Sequence, residues 1–533
     1  MEDEPETKKT KAAPKSAPKA ASKAASKAAP KTAPKATPKA TTKAKAGPKR
    51  AAADDSDDEP AAKKAKPSPK AKTPAKAPPK PKAPPKAKPV PKSPKQKVAI
   101  NEIPKLPLDV FVFGEGGSGE LGLGVENKCI DVKRPRLNPH LSGKVVQVAA
   151  GGMHAAALTS DNRILTWGVN DQGALGRDSE WRDRTRGNTG DDNDDSDDPE
   201  ALTDLNPYEA IPTAIPQDAF PEGTKFVKVV AGDSASFALT DDGQVYGWGT
   251  FRGNEGVFGF SREGKDINVV QHTPMHIAKL KNIIDICAGA NHMLALDKKG
   301  LVYAWGAGQQ NQLGRRIVER NAYTALEPST IAVKKVKAIG SGSYHSFAID
   351  ENDKVWAWGL NNFGETGIPE GAGGDNAVIG RPTIAKNLSG KGMKLVVGGG
   401  HHSAGVTENG ECFLWGRMDG GQIGIAQDAL PMDDEDMIMK DEGGRPRILL
   451  QPMQVPNVNA SHACCGPEHT LAVTKDGKAF AWGFNVNYQL GLGHDDDVNV
   501  ATEIHNKAVD GKMLNWAGTG GQYSMLAAPT SAQ

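Results

Sequence analysis

Ala288-Gly289-Ala290-Asn291-His292-Met293-Leu294-Ala295-Leu296-Asp297-Lys298-Lys299-Gly300-Leu301-Val302-Tyr303-Ala304-Trp305-Gly306 carries both marks of one repeat. A Gly-rich turn ends in His, a short apolar run follows, Asp-to-Gly marks a tight turn, and a second run ends in Trp-Gly. The aromatic-Gly mark recurs as Phe113-Gly114, Trp167-Gly168, Trp248-Gly249, Trp305-Gly306, Trp358-Gly359, Trp415-Gly416 and Trp482-Gly483, at intervals of 54, 81, 57, 53, 57 and 67 residues. The Gly-rich turn also occurs seven times, ending at His154, Ala235, His292, His345, His402, His469 and Tyr523. Seven copies made of short strands, with no convincing long amphipathic helix, predict an all-β, seven-bladed β-propeller over residues 108–528. The two marks are staggered. The chain opens on an aromatic-Gly strand and closes on a Gly-Gly-Gln-Tyr strand, so N- and C-terminal half repeats complete one sheet and close the ring. Five of the seven turns end in His, but in separate, alike repeats, which favours hydrogen-bonded structural histidines over metal ligands.

Outside the repeats the composition changes sharply. Residues 1–100 carry 27 basic and nine acidic residues, 19 of the 38 Pro, one of the 60 Gly and no aromatic residue, a local net charge of +18. That leaves 39 basic and 55 acidic residues in the rest, a net of −16. A segment so poor in apolar surface cannot offset its chain entropy, so 1–107 is expected to be a disordered Lys/Ala/Pro-rich tail, and 529–533 a short C-terminal one. Its polycation suits phosphate neutralisation on DNA without sequence reading. Lys49 and Arg50, then Lys63, Lys64 and Lys66, resemble a bipartite nuclear localisation signal, which implies nuclear import receptors as partners. Thr73-Pro74 and Ser93-Pro94 offer phosphorylation sites that would subtract charge from the tail. No run of 18 apolar residues and no apolar leader appear, so an intracellular protein without a membrane partner is expected. Five cysteines (Cys129, Cys287, Cys412, Cys464, Cys465) lack C-x-x-C spacing, and no metal or cofactor is expected. No G-x-S-x-G, H-E-x-x-H or phosphate-loop motif is present, so no covalent enzyme chemistry is anticipated.

The Gly-x-x-His turn, apolar strand, Asp-Gly, Trp-Gly and then Asn170-Asp171-Gln172-Gly173-Ala174-Leu175-Gly176 resemble the repeat of the regulator of chromosome condensation family. The resemblance spans about 108–528 and implies a nuclear, chromatin-bound guanine-nucleotide exchange factor for the GTPase Ran, supporting nucleocytoplasmic transport and mitosis. A chromatin-bound propeller scaffold without exchange activity is the rival reading, because the fold alone does not choose among functions.

Departures from the repeat mark candidate sites. From the Gly of the aromatic-Gly pair to the closing Gly is eight residues in six repeats, but Gly249 to Gly259 is ten. The additional residues should push out a hairpin at 250–259 carrying Phe251, Arg252 and Asn254. Phe-Arg-x-Asn-x-Gly-Val-x-Gly there resembles the family's β-wedge, which implies insertion beside the GTPase's phosphate-binding elements. The resemblance also implies an exchange role for Asp233 and GTPase contacts for His401 and Arg315. Asn291 replaces a family Asp and Tyr523 the last repeat His, both at partner-binding positions; Gly117 stands where the animal pattern has Asp. Arg316 and Arg320 lie where the family has a loop that meets the nucleosome, with Arg320 as the contact candidate. An acidic insertion at about 180–204, with its run at 191–198, is either a solvated loop, a contact for histones or a segment that folds back on the basic tail.

Overall fold

The computed structural model describes residues 98–181 and 202–530, and these form the predicted ring of seven four-stranded antiparallel blades. The first blade is Val145–Ala150, His154–Thr159, Ile164–Gly168 and Thr213–Ala214. The second is Phe226–Ala231, Ala235–Thr240, Val245–Gly249 and Gln271–His276, and the third is Ile283–Ala288, His292–Asp297, Val302–Gly306 and Ser329–Thr330. In the fifth and sixth blades a single strand, Pro446–Cys465, serves as the outer strand of one and the inner strand of the next. The seventh is the composite that the stagger predicts. Trp516–Thr519 and Tyr523–Pro529 come from the C-terminus, Leu108–Glu115 and Asp131–Leu137 from the N-terminus. Leu108–Glu115 pairs with Tyr523–Pro529 along its length, from Leu108 opposite Pro529 to Gly114 opposite Tyr523. No sheet edge is left open at the joint.

Each repeat mark has a packing reason. In five blades the Trp donates its indole N–H to a backbone carbonyl in the preceding blade's loop: Trp167 to Glu120, Trp248 to Ala174, Trp358 to Gln312, Trp415 to Glu365 and Trp482 to Gln422, at 2.8–2.9 Å. The closing Gly of that loop lies against the ring. At Gly176 φ is +65°, and a Cβ would lie 2.8 Å from Trp248 Cδ1, so only Gly fits. These Trp rings are fully buried, and truncating one would cost about 3–5 kcal/mol.

The histidines link one blade to the next. His154 bonds Ser236 Oγ at 2.7 Å, His292 bonds Ser346 and His345 bonds Ser403 at 2.8 Å, His402 bonds Thr470 at 2.8 Å and His469 bonds Ser524 at 3.0 Å. Two joints lack the hydroxyl, and both also lack the histidine. Where the receiving position is Ala155, Tyr523 brings its own hydroxyl and donates toward the carbonyls of Gly151 (3.0 Å) and His154 (2.8 Å). Where it is Met293, the donor position is Ala235, and the joint is apolar. Tyr523 is therefore corrected from a partner contact to a ring-closing residue: its side chain is wholly buried.

The expected tail boundary at 107 is also corrected. Ile100 and Asn101 donate their backbone N–H groups to Asp241 O (2.7 and 3.0 Å), and the Asn101 amide donates to the carbonyls of Thr240 and Ile283 at 2.9 Å. This strap is tied to the Asp-Gly turn of the second blade and to the start of the third blade's first strand. The localisation residues Lys49, Arg50, Lys63, Lys64 and Lys66, the phosphorylation candidates and the acidic run 191–198 lie outside the described residues.

Candidate functional site

In the second blade Ala235 pairs with Gly249 and Leu239 with Val245. The Gly-rich turn and the segment after Gly249 therefore share one face, and the Asp-Gly turn with its docked strap occupies the other. On the first face the ten-residue interval folds as expected into a hairpin, Phe251–Gly253 against Gly256–Gly259. Arg252 lies opposite Val257, and cross-strand partners project to the same side; both are exposed, as is Asn254.

Phe251 differs from expectation. It is buried among Phe237, Phe260 and Trp305 rather than carried out on the hairpin, stacking on Phe237 and Phe260 at 6.0 Å. Its socket is the apolar joint of Ala235 and Met293, so the hairpin is rooted at the junction where neither a histidine–hydroxyl pair nor a tyrosine hydroxyl bridges the blades. The irregular residues Ala235 and Met293 were the sequence signal for this anchor. A second hairpin, Ser261–Glu263 with Asp266–Asn268, follows at once and went unforeseen; the Gly264 turn was its signal.

Asn291 connects the hairpin to the channel. Its amide oxygen accepts the backbone N–H of Arg252 at 2.7 Å, and its amide nitrogen donates to Asp233 Oδ2 at 3.1 Å. The Arg252 N–H can only donate, which fixes the amide's orientation and points its NH₂ at the carboxylate. An Asp at 291 would instead set two carboxylates together. Asp233 itself lines the mouth of the central cavity, about 160 Å³, whose other lining residues are mainly Gly, Ala and Ser. Its carboxyl touches solvent but is ringed by protein. That crowding raises its pKa, opposed by the Asn291 bond and the Arg252 charge.

The other expected residues divide. His401 stands on the same face, half-buried, with Nδ1 3.1 Å from Oε1 of the fully buried Glu365 and its ring 4.9 Å from Phe363. Phe363 also lies under the guanidinium groups of Arg417 (5.3 Å) and Arg447 (4.8 Å). This basic and aromatic cluster beside His401 was not anticipated. Arg315 is a clasp: it donates to the carbonyls of Thr324 (3.3 Å) and Glu327 (3.2 Å), holding the turn Glu319–Leu326 against the third blade. Arg320 is exposed on that segment, and Arg316 is exposed just before it. A side chain at Gly117 would meet only that of Glu115, at ordinary contact distance. Among the described residues no cluster of His, Cys, Asp and Glu is arranged to hold a metal, and no helix is long and apolar enough to cross a membrane.

A seven-bladed ring with one blade loop extended into a hairpin beside Asp233 at the central cavity defines the class. Residues 109–526 match the RCC1-like domain, and the chain belongs to that family. It is 41% identical over 436 residues to Protein pim1 of Schizosaccharomyces pombe, covering 80% of this chain and 76% of that protein. It is 39% identical to the guanine nucleotide exchange factor SRM1 of Saccharomyces cerevisiae, covering 79% and 87%. The human regulator of chromosome condensation is 31% identical, covering 78% and 90%. Among solved structures, Prp20p of Saccharomyces cerevisiae, studied for its binding to Gsp1p and histones, superposes with a TM-score of 0.72 at 37% identity, covering 80% of this chain and 93% of that one. A second structure, of yeast RCC1 (Prp20) bound by Kap60, matches equally well, with a TM-score of 0.72 at 36% identity, covering 81% and 91%.

Proposed function

We propose that this chain is a guanine-nucleotide exchange factor for the small GTPase Ran, acting in the nucleus at chromatin. The observation that carries the reading is the hairpin of 250–259, rooted by Phe251, with Arg252 exposed beside Asp233 at the channel mouth. The family relationship supports it, since the related SRM1 is itself named an exchange factor.

The hairpin supplies a rigid wedge. Pressed beside the GTPase's phosphate-binding elements, it competes for the groups that hold the nucleotide and magnesium, and Arg252 and Asn254 offer donors at its tip. Exchange accelerates because the protein binds the nucleotide-free GTPase more tightly than the loaded one, and whichever nucleotide is abundant then rebinds. No bond of the substrate is made or broken in this scheme. His401 and Asp233 add polar contacts on the same face, and the net charge of −16 over residues 101–533 suits a partner with basic patches.

The basic tail serves as the non-specific DNA and nucleosome contact, with its two lysine clusters as the import signal; Arg316 and Arg320 are candidates for an acidic histone surface. Kap60 bound to Prp20 is the precedent for import-receptor binding in a relative. Removing residues 1–97 should abolish salt-sensitive DNA binding and leave exchange intact; loss of exchange would place the tail in the GTPase site. The test of the main reading is release of labelled GDP from Ran. Catalytic amounts of the chain should accelerate it, and a release rate unchanged by the folded protein would favour the scaffold reading.

A further inference from the structure

The wedge belongs to the second blade but lies on the third. Its first strand crosses Gln309, where a side chain at Gly253 would collide with Gln309 Nε2. At its tip Gln310 donates to Asn254 Oδ1 at 3.3 Å. Its second strand turns Val257 outward and Phe258 inward, and the Phe258 ring stacks on Tyr323 at 5.2 Å with 17° between the planes. At its end Gly259, with φ +128°, packs where a Cβ would lie 3.2 Å from Leu326. Tyr323 and Leu326 belong to the turn Glu319–Leu326 that Arg315 clasps. Glu327, one residue further on, pairs with Arg262 of the second hairpin at 3.8 Å and with Lys279.

We infer that Tyr323 is a positioning residue for exchange, bracing the wedge through its stack on Phe258. The inference rests on the exchange reading and adds a residue that touches no GTPase in it. A two-stranded hairpin is marginal by itself in water, so one that must push into a partner needs support along its length. Without the brace, part of the interaction with the nucleotide-free GTPase is spent on ordering the hairpin at that moment. The encounter, set by exposed residues over the whole face, is left nearly unchanged. Tyr323 is 47% exposed, so its contribution to the fold itself is small, and the stack on the hairpin is what its removal takes away.

The test compares wild type, Tyr323→Ala and Tyr323→Phe in stimulated GDP release from Ran over a range of GTPase concentrations, alongside thermal melting. Tyr323→Ala should lower the maximal rate about two- to tenfold, the span to which one aromatic pair converts. The half-saturating concentration and the melting midpoint should hardly move, and Tyr323→Phe, which keeps the stack, should match wild type. Full activity in the Ala variant, a Phe variant as slow as the Ala one, or a rate loss that tracks a loss of melting stability would each overturn the brace. An inactive wild type would instead overturn the exchange reading and this inference with it.

Discussion

Tyr523 and Ala155 should behave as one unit. The ring uses a histidine bonded to a hydroxyl of the next blade at five joints, and at this joint Tyr523 reaches past the methyl of Ala155 to the carbonyls of Gly151 and His154. Tyr523→His alone would bury an imidazole whose outer nitrogen finds no hydroxyl. An unsatisfied buried group costs about 1–3 kcal/mol, and the volume lost adds to it. Ala155→Ser alone would force a hydroxyl against the phenol ring, an overpacking of about 1–3 kcal/mol. Together the two changes rebuild the pair found at His292–Ser346 and His345–Ser403. The double variant should therefore be at least about 1 kcal/mol more stable than the sum of the single losses. Denaturant midpoints of the four proteins, read at one temperature and pH, measure that coupling. Simple additivity would show that the joint does not follow the histidine–hydroxyl logic of the others.

The same histidines make the ring sensitive to acid. Burial lowers the pKa from 6.5 to about 4 for His154 and to about 3 for His292, His345, His402 and His469, so the folded chain keeps them neutral while the unfolded chain takes up protons. Their stabilisation is complete above the unfolded value and is lost as pH falls through 6.5 toward 3, about 2 kcal/mol for each at pH 5. Melting midpoints should be level from pH 8 to 7 and fall steeply below 6.5; a level profile down to pH 5 would contradict the neutral pairs. At the site, Asn291→Ala removes both the anchor of the Arg252 N–H and the partner of Asp233. Stimulated release should drop about tenfold, from loss of roughly 1–2 kcal/mol of positioning. An unchanged rate would detach Asp233 from the wedge.

Much of the fold was legible because each mark has a repeated packing duty. Trp-Gly pairs cap the preceding loop, Gly-rich turns carry the interblade histidines, and the stagger between them gives the composite seventh blade. The ten-residue interval pointed to the hairpin for the same reason, as a break in an otherwise fixed count. What local sequence hides is direction. Phe251 and Arg252 are neighbours on one strand, and only the apolar socket made by Ala235 and Met293, residues 58 positions apart, turns the first inward and leaves the second exposed. Tyr523 was misplaced because a repeat position usually held by His was read as a lost contact, whereas the ring compensates for it across the joint with Ala155. Arg315 has the spacing of a contact residue, yet its neighbours Thr324 and Glu327 make it a clasp. The strap at Ile100 and Asn101 carries no propeller mark, and its bonds to Asp241 and Ile283 depend on residues far along the chain.

The central claim is that the exposed tip of the wedge drives nucleotide release, and Arg252→Ala tests it most directly. The bond to Asn291 uses the backbone of Arg252, so the substitution keeps the hairpin's anchor, and Phe251, Gly253 and Phe258 stay in place. The side chain beyond Cβ, with its guanidinium, is lost from an exposed position. Initial rates of labelled GDP release from Ran, at matched concentrations of wild type and the folded variant, should differ by about tenfold or more, equivalent to at least about 1.4 kcal/mol in the barrier. A variant with the wild-type melting midpoint and the wild-type release rate would contradict the account.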